Sequence, residues 1–188
     1  MTDELIIIKK VLAGDINAFA ILVERYMDLS KTLAYNVLLN REDAEDVVQD
    51  AFIKAYSSLS SFKGNSKFST WLYRIVLNTS LNKRKRKKLD TITIEEHVPG
   101  EEIMNINIDL SNYSNQQQRK YIQQALKSLS EGERICITLY YLNELSLEEL
   151  RELTGYSSSN IKVLLFRGRK QLYHELECLL KKELKDLI

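Results

Sequence analysis

The chain has 188 residues, with 27 Lys plus Arg against 26 Asp plus Glu and a net charge of +1. One Pro and six Gly among abundant Leu, Ile, Lys and Glu favour helices over a sheet fold, and the length suits two small helical modules. No run approaches the ~18 apolar residues of a membrane span, and Met1 to Leu5 lacks the cationic start and apolar core of a signal peptide, so neither is expected.

From Leu5 to Leu39 apolar residues keep helical spacing (Leu5, Ile8, Val11, Leu12, then Phe19, Leu22, Val23, Tyr26). Gly14-Asp15 interrupts the pattern, with Asp15 placed to cap a second helix. Asp43 to Tyr56 predicts a helix whose apolar stripe is Ala44, Val47, Val48, Ala51, Phe52 and Ala55. Glu42, Asp43, Glu45, Asp46, Gln49 and Asp50 fall towards its other side. Those acids repel one another, and the helix N-terminus relieves this only in part, so a basic protein partner would relieve it further.

Ser57 to Ser66, with its many Ser, Gly64 and Asn65, predicts a loop. A helix starting near Ser66 then buries Phe68, Trp71, Leu72, Ile75, Val76 and Thr79 and turns Tyr73, Arg74, Asn78 and Leu81 to its flank. It ends in Lys83-Arg84-Lys85-Arg86-Lys87-Lys88. Aromatic side chains beside such a run suit stacking of unpaired bases while cations hold the backbone, at roughly 1–3 kcal/mol per base. Phe68 and Trp71 belong mainly to the core on this reading. Asn78, whose carboxamide both donates and accepts, suits reading a base edge. The cationic run is either a solvated helix end or a phosphate clamp, each phosphate adding about 0.9 to the salt slope on duplex DNA.

Residues 89–115 predict a linker: they hold the only Pro, Glu95, Glu96, Glu101, Glu102 and Asp109, and no helical period. Thr91 to Ile94 alternates as a short extended segment would. Helices resume at Gln116. Ser130 with Glu133, and Ser146 with Glu149, form capping boxes. Gly155 stops the second of these helices, and Ser157 or Ser158 starts a long one. A short capped helix, a Gly turn and a long basic helix make helix-turn-helix spacing. At about 100° per residue, Ile161, Leu164, Leu165, Gly168 and Leu172 share the packed sector of the last helix. Ser159, Lys162, Val163, Phe166, Arg167 and Lys170 share the opposite one, with Arg169 on its edge. A face mixing cations with Val and Phe suits the major groove, where cations meet phosphate or guanine and apolar groups meet thymine methyls.

Cys136 and Cys178 lack metal spacing and read as reduced core thiols of a cytoplasmic protein. His174 and Cys178 are four residues apart, but no second pair completes a metal site, so no metal is expected. With no Gly-rich phosphate loop and no nucleophile beside a base, and with His97 and His174 alone for proton transfer, the chain is read as a non-enzyme needing no cofactor. The fold expected is all-α: two helical domains, residues 1–88 and 116–188, joined by the acidic linker 89–115, the second domain a helix-turn-helix. A stand-alone helix-turn-helix regulator is the second reading, and it leaves the acidic helix and the aromatic–cationic pair unexplained.

Asp46 to Tyr56, Ser61-Phe62-Lys63-Gly64-Asn65-Ser66, and Phe68 with Thr70 to Ile75 and Asn78 resemble region 2 of bacterial sigma factors. Ser146 to Leu150 and Ile161 to Leu172 resemble region 4. The ordered pair is similar to the extracytoplasmic-function group. The resemblance implies that Asp46, Gln49 and Asp50 bind the clamp of core RNA polymerase. It implies that a flipped base of the minus-ten element is captured between the Ser61–Ser66 loop and Asn78, with Lys54, Trp71 and Arg74 at neighbouring motif positions and Lys83 and Arg84 following. It implies that Ser159, Lys162, Val163, Phe166, Arg167, Arg169 and Lys170 read the minus-thirty-five element as duplex. A polymerase flap contact, a linker threading towards the active centre and an anti-sigma factor are implied as well. Val163 departs from the small polar residue or Arg often found at its position.

Overall fold

A computed structural model describes residues 3–90 and 116–186, and among these the chain is helical with no strand. It divides into two compact units, Met1–Ile106 and Asn107–Ile188. The acidic segment, the Thr91–Ile94 alternation and His97 lie outside the described residues. No described helix is long and apolar enough to cross a membrane.

In the first unit α1 (Asp3–Leu12) packs on α2 (Ile16–Leu38), and α2, α3 (Arg41–Ser58) and α4 (Phe68–Asp90) pack on one another. Asp15 caps α2, its carboxylate accepting from the Ala18 N–H at 3.3 Å. The Asn40 amide oxygen caps α3 by accepting from the Asp43 N–H at 2.9 Å. Between those helices the chain turns on Leu39, a left-handed residue at φ 53° whose N–H donates to the Tyr35 carbonyl. Ala44, Ala51 and Ala55 are fully enclosed. Their small size lets α3 lie close to its neighbours while Leu22, Leu33, Val48 and Leu72 fill the centre.

Helix α3 continues through Ser57 and Ser58, which were expected in a loop, and a 3₁₀ turn, Leu59–Ser61, follows. The Ser57 and Ser58 hydroxyls donate to the Ile53 and Lys54 carbonyls four residues back, so both serines fit a helix. Leu59 is buried beneath the turn. Tyr73, expected on the flank of α4, is buried with its ring 6.2 Å from that of Tyr26. Neighbouring helices cover a wider arc of α4 than one apolar stripe suggests, and Leu77 and Ser80 are enclosed too. Trp71 and Ile75 are only half-buried, and Leu12, expected on the packed stripe, is exposed.

The second unit comprises α5 (Gln116–Lys127), α6 (Glu131–Ile137), a π-helical turn (Thr138–Leu142), α7 (Leu147–Thr154) and α8 (Ser158–Asp186). The Ser130 N–H donates to the Glu133 carboxylate at 3.1 Å at the start of α6. Before α7 the bonds are reciprocal: the Ser146 N–H reaches Glu149 at 2.8 Å, and the Glu149 N–H reaches the Ser146 hydroxyl at 3.2 Å. Gly155 ends α7 in the left-handed region at φ 72°. Gly168 on α8 permits close contact with α6, since a Cβ there would sit 2.8 Å from Ile137 Cγ1. Ile161 and Leu165 are buried on the same side of α8.

Candidate nucleic-acid and partner faces

The first unit presents an acidic flank on α3 and an aromatic–polar flank centred on α4. Asp46, Gln49 and Asp50 are exposed on α3. Asp43, expected among them, is instead nearly buried. Its Oδ1 lies 3.0 Å from Lys83 Nζ, and its Oδ2 pairs with Lys87. Lys83 Nζ also lies 3.0 Å from Asp46 Oδ2. Burial alone would raise the Asp43 carboxyl, but hydrogen bonds from Lys87 and Lys83 hold it below its ordinary range. Burial likewise opposes the charge on Lys83, and its bonds to Asp46 and Asp43 overcome this and push its ammonium up. Arg41 neutralises Glu45 at 3.0 Å. Part of the acid repulsion on α3 is thus relieved from within the chain.

On the other flank, Phe62 stands on an aromatic platform, its ring 5.4 Å from Trp71 and 5.8 Å from Phe68. Phe68 in turn lies 5.6 Å from Tyr26. The Tyr26 hydroxyl, pushed up by burial and by its bond to Glu4, ties this stack to α1. The loop over the platform exposes Lys63, Gly64 and Asn65, with Gly64 left-handed at φ 71° and Ser66 half-buried. Ser61 is exposed, and its hydroxyl donates to the Ser58 carbonyl at 2.6 Å. Trp71, Arg74 and Asn78 follow at helical spacing, the last two exposed. Lys54 reaches across from α3, donating to the Thr79 hydroxyl at 3.3 Å, next in sequence to Asn78. Lys83 is turned away to the acidic flank, and Arg84 beside it is half-buried.

In the second unit the expected outward row of α8 is exposed throughout: Ser159, Lys162, Val163, Phe166, Arg167, Arg169 and Lys170. Phe166 is 63% exposed and Val163 44%, so neither serves the core. The Ser159 and Ser157 hydroxyls share a 3.1 Å hydrogen bond, and the Arg169 guanidinium donates to the Tyr141 hydroxyl at 3.1 Å. The lysine pairing of Asp43 and the contact of Tyr141 with Arg169 are what sequence reasoning missed at these faces. Each joins side chains 28 or more residues apart, a separation that leaves no local pattern. Cys136 is buried as expected, but Cys178, also expected in the core, is exposed on α8 near exposed His174, because α8 runs on past the helices that cover its first half.

The chain matches the Sigma-70 region 2 family over residues 22–89 and the Sigma-70, region 4 family over residues 119–172. It is 36% identical to the ECF RNA polymerase sigma factor SigW of Bacillus subtilis, over 90% of this chain and 94% of that one. It is 32% identical to the ECF RNA polymerase sigma-E factor of Escherichia coli K12, over 97% and 98%. Among solved structures it resembles the sigma factor RpoE of Bartonella quintana in complex with the anti-sigma factor NepR. There the identity is 26% and the TM-score 0.62, covering 84% of this chain and 97% of that one.

Proposed function

The chain belongs to the extracytoplasmic-function group of RNA polymerase sigma factors, and on that premise we propose how its two units divide promoter-directed initiation between them. As an alternative sigma factor it binds core polymerase and directs initiation at specific promoters. Residues 1–88 form the domain that binds the polymerase clamp and the minus-ten element, 89–115 the linker, and 116–188 the domain for the minus-thirty-five element. Asp46, Gln49 and Asp50 offer exposed acceptors to a basic clamp surface. The loop Ser61, Phe62, Lys63, Gly64, Asn65 and Ser66 captures one unstacked base, with Asn78 reading its edge and Lys54, Trp71 and Arg74 bordering it. Arg84 and the rest of the basic run follow the strand's phosphates.

The observation that carries the duplex half is Phe166, mostly in water between Lys162 and Arg167 on one outward row. An ordinary hydrated helix gains nothing from a ring there, whereas a thymine methyl in the major groove gives it a surface to cover. Ser159, Val163, Arg169 and Lys170 complete the row. The work is binding without bond making, so the chain needs no catalytic group or cofactor of its own, and it takes place in the cytoplasm with the polymerase. The relative solved with an anti-sigma factor supports a comparable partner that masks one of these faces.

Transcription in vitro tests this. Core polymerase supplied with the chain starts at defined sites on a promoter library, Asn78→Ala or Arg167→Ala weakens those starts, and Asp46→Lys with Asp50→Lys reduces polymerase pull-down. Full initiation by both alanine variants overturns the residue assignments, and no initiation by the unaltered chain overturns the whole reading.

A further inference from the structure

Asp43, Asp46, Lys83 and Lys87 form one cluster in which two acids of α3 meet two lysines of α4. Its formal charge is zero. Lys83 is the member shared by both acids, 3.0 Å from each, while Lys87 holds the second oxygen of Asp43. Asp43 is the inner anchor, its side chain 12% exposed, and Asp46 is the outer arm at 69%. One cation therefore touches both the flank read as polymerase-facing and the run read as phosphate-facing.

We propose that Lys83 is a cation held in reserve, positioned by Asp43 and released towards the DNA strand when a basic partner engages Asp46. This rests on the polymerase-facing reading of Asp46 and the phosphate-facing reading of the run. In the free chain the cluster is neutral and adds nothing to strand binding. A partner cation that occupies Asp46 leaves one carboxylate facing two lysines, so the cluster carries a net positive charge at the head of the basic run. Lys87 still satisfies Asp43, and Lys83 becomes the lysine able to take one phosphate. Because coupling between sites is reciprocal, a strand holding Lys83 also strengthens the partner's hold on Asp46.

The salt dependence of binding counts the phosphates neutralised, and a purely structural role for Asp46 would not change that count. Binding of the full chain to a fluorescent oligothymidylate, titrated from low salt, is the measurement. Asp46→Asn is expected to steepen the slope of log affinity against log salt by about 0.7, one phosphate on a single strand. Asp46→Glu restores the pair and the original slope. Glu42→Gln removes the same charge from the same flank, where exposed Glu42 has no ion pair among the described residues, and leaves the slope unchanged. Lys83→Met cancels the gain of Asp46→Asn. The proposal is overturned if Asp46→Asn and Glu42→Gln steepen the slope equally, if the gain survives Lys83→Met, or if Asp46→Asn shows no binding at low salt. Start-site selection by the holoenzyme reads the underlying function separately, so equal slopes with intact initiation sink the coupling alone.

Discussion

The α4 flank and the α8 row are both proposed to meet DNA, yet they are assembled in opposite ways. The α8 row is one stretch of one helix, with Ser159 to Lys170 outward and Ile161, Leu165 and Gly168 inward. The α4 flank gathers Lys54 from α3, a loop from 61 to 66 and three positions of α4 over an aromatic platform that reaches back to Tyr26. A surface built on one helix depends on that helix's seating, whereas one gathered from several segments depends on the layer beneath. Damage to the core should therefore abolish function in the first unit more readily than in the second.

The largest expected effect tests the gathered surface. Phe68→Ala empties the centre of the platform, where the ring is 1% exposed, and should destabilise the first unit by about 3–5 kcal/mol. Fluorescence of Trp71, the chain's one tryptophan, follows its urea unfolding. Duplex binding through α8 should survive; its loss in this variant would contradict the division between units. Gly168→Ala tests the single-helix surface. It forces the α6–α8 contact apart at an expected cost of about 1–3 kcal/mol. Cys136 is fully buried, which pushes its thiol up to about 11, so with the exposed thiol removed by Cys178→Ser its reaction with a thiol reagent near neutral pH requires the second unit to open. That reaction should quicken in Gly168→Ala and stay unchanged in Phe68→Ala.

A smaller effect is expected from Ser146→Ala, which removes the α7 cap for about 1 kcal/mol. The same thiol reaction measures it. The smallest concerns pH. Asp43 sits below its ordinary value of 3.8 in the fold, so its contribution is complete above that value and is lost as pH falls beneath it. Asp43→Asn should flatten this acid limb in the first unit's unfolding, read by Trp71. An unchanged acid limb would show that the lysine contacts lend the native state nothing.

Features set by neighbours in sequence were legible. Asp15, Ser146 and Gly155 act within four residues of themselves, and the two faces of α8 follow from the helical period alone. What escaped was set at a distance or against composition. Tyr73 is covered by Tyr26 and Asp43 is claimed by Lys87, contacts that no local period encodes. Ser57 and Ser58 look like loop residues, yet a hydroxyl bonded to the carbonyl four residues back satisfies a helix equally well.

Leu39 shows how little strain need say about purpose. A side chain at φ 53° costs about 1–2 kcal/mol against the right-handed form, and 40% of this leucine lies in solvent, so burial gives modest compensation. Glycine would remove the steric cost but would give the unfolded chain more freedom to lose, roughly 0.5–1 kcal/mol. The unfolded-state term offsets about half of the steric one, and the covered part of the Leu39 side chain offsets more. Exchange at this corner should therefore change stability by less than about 1 kcal/mol, too little for the strain itself to require a purpose.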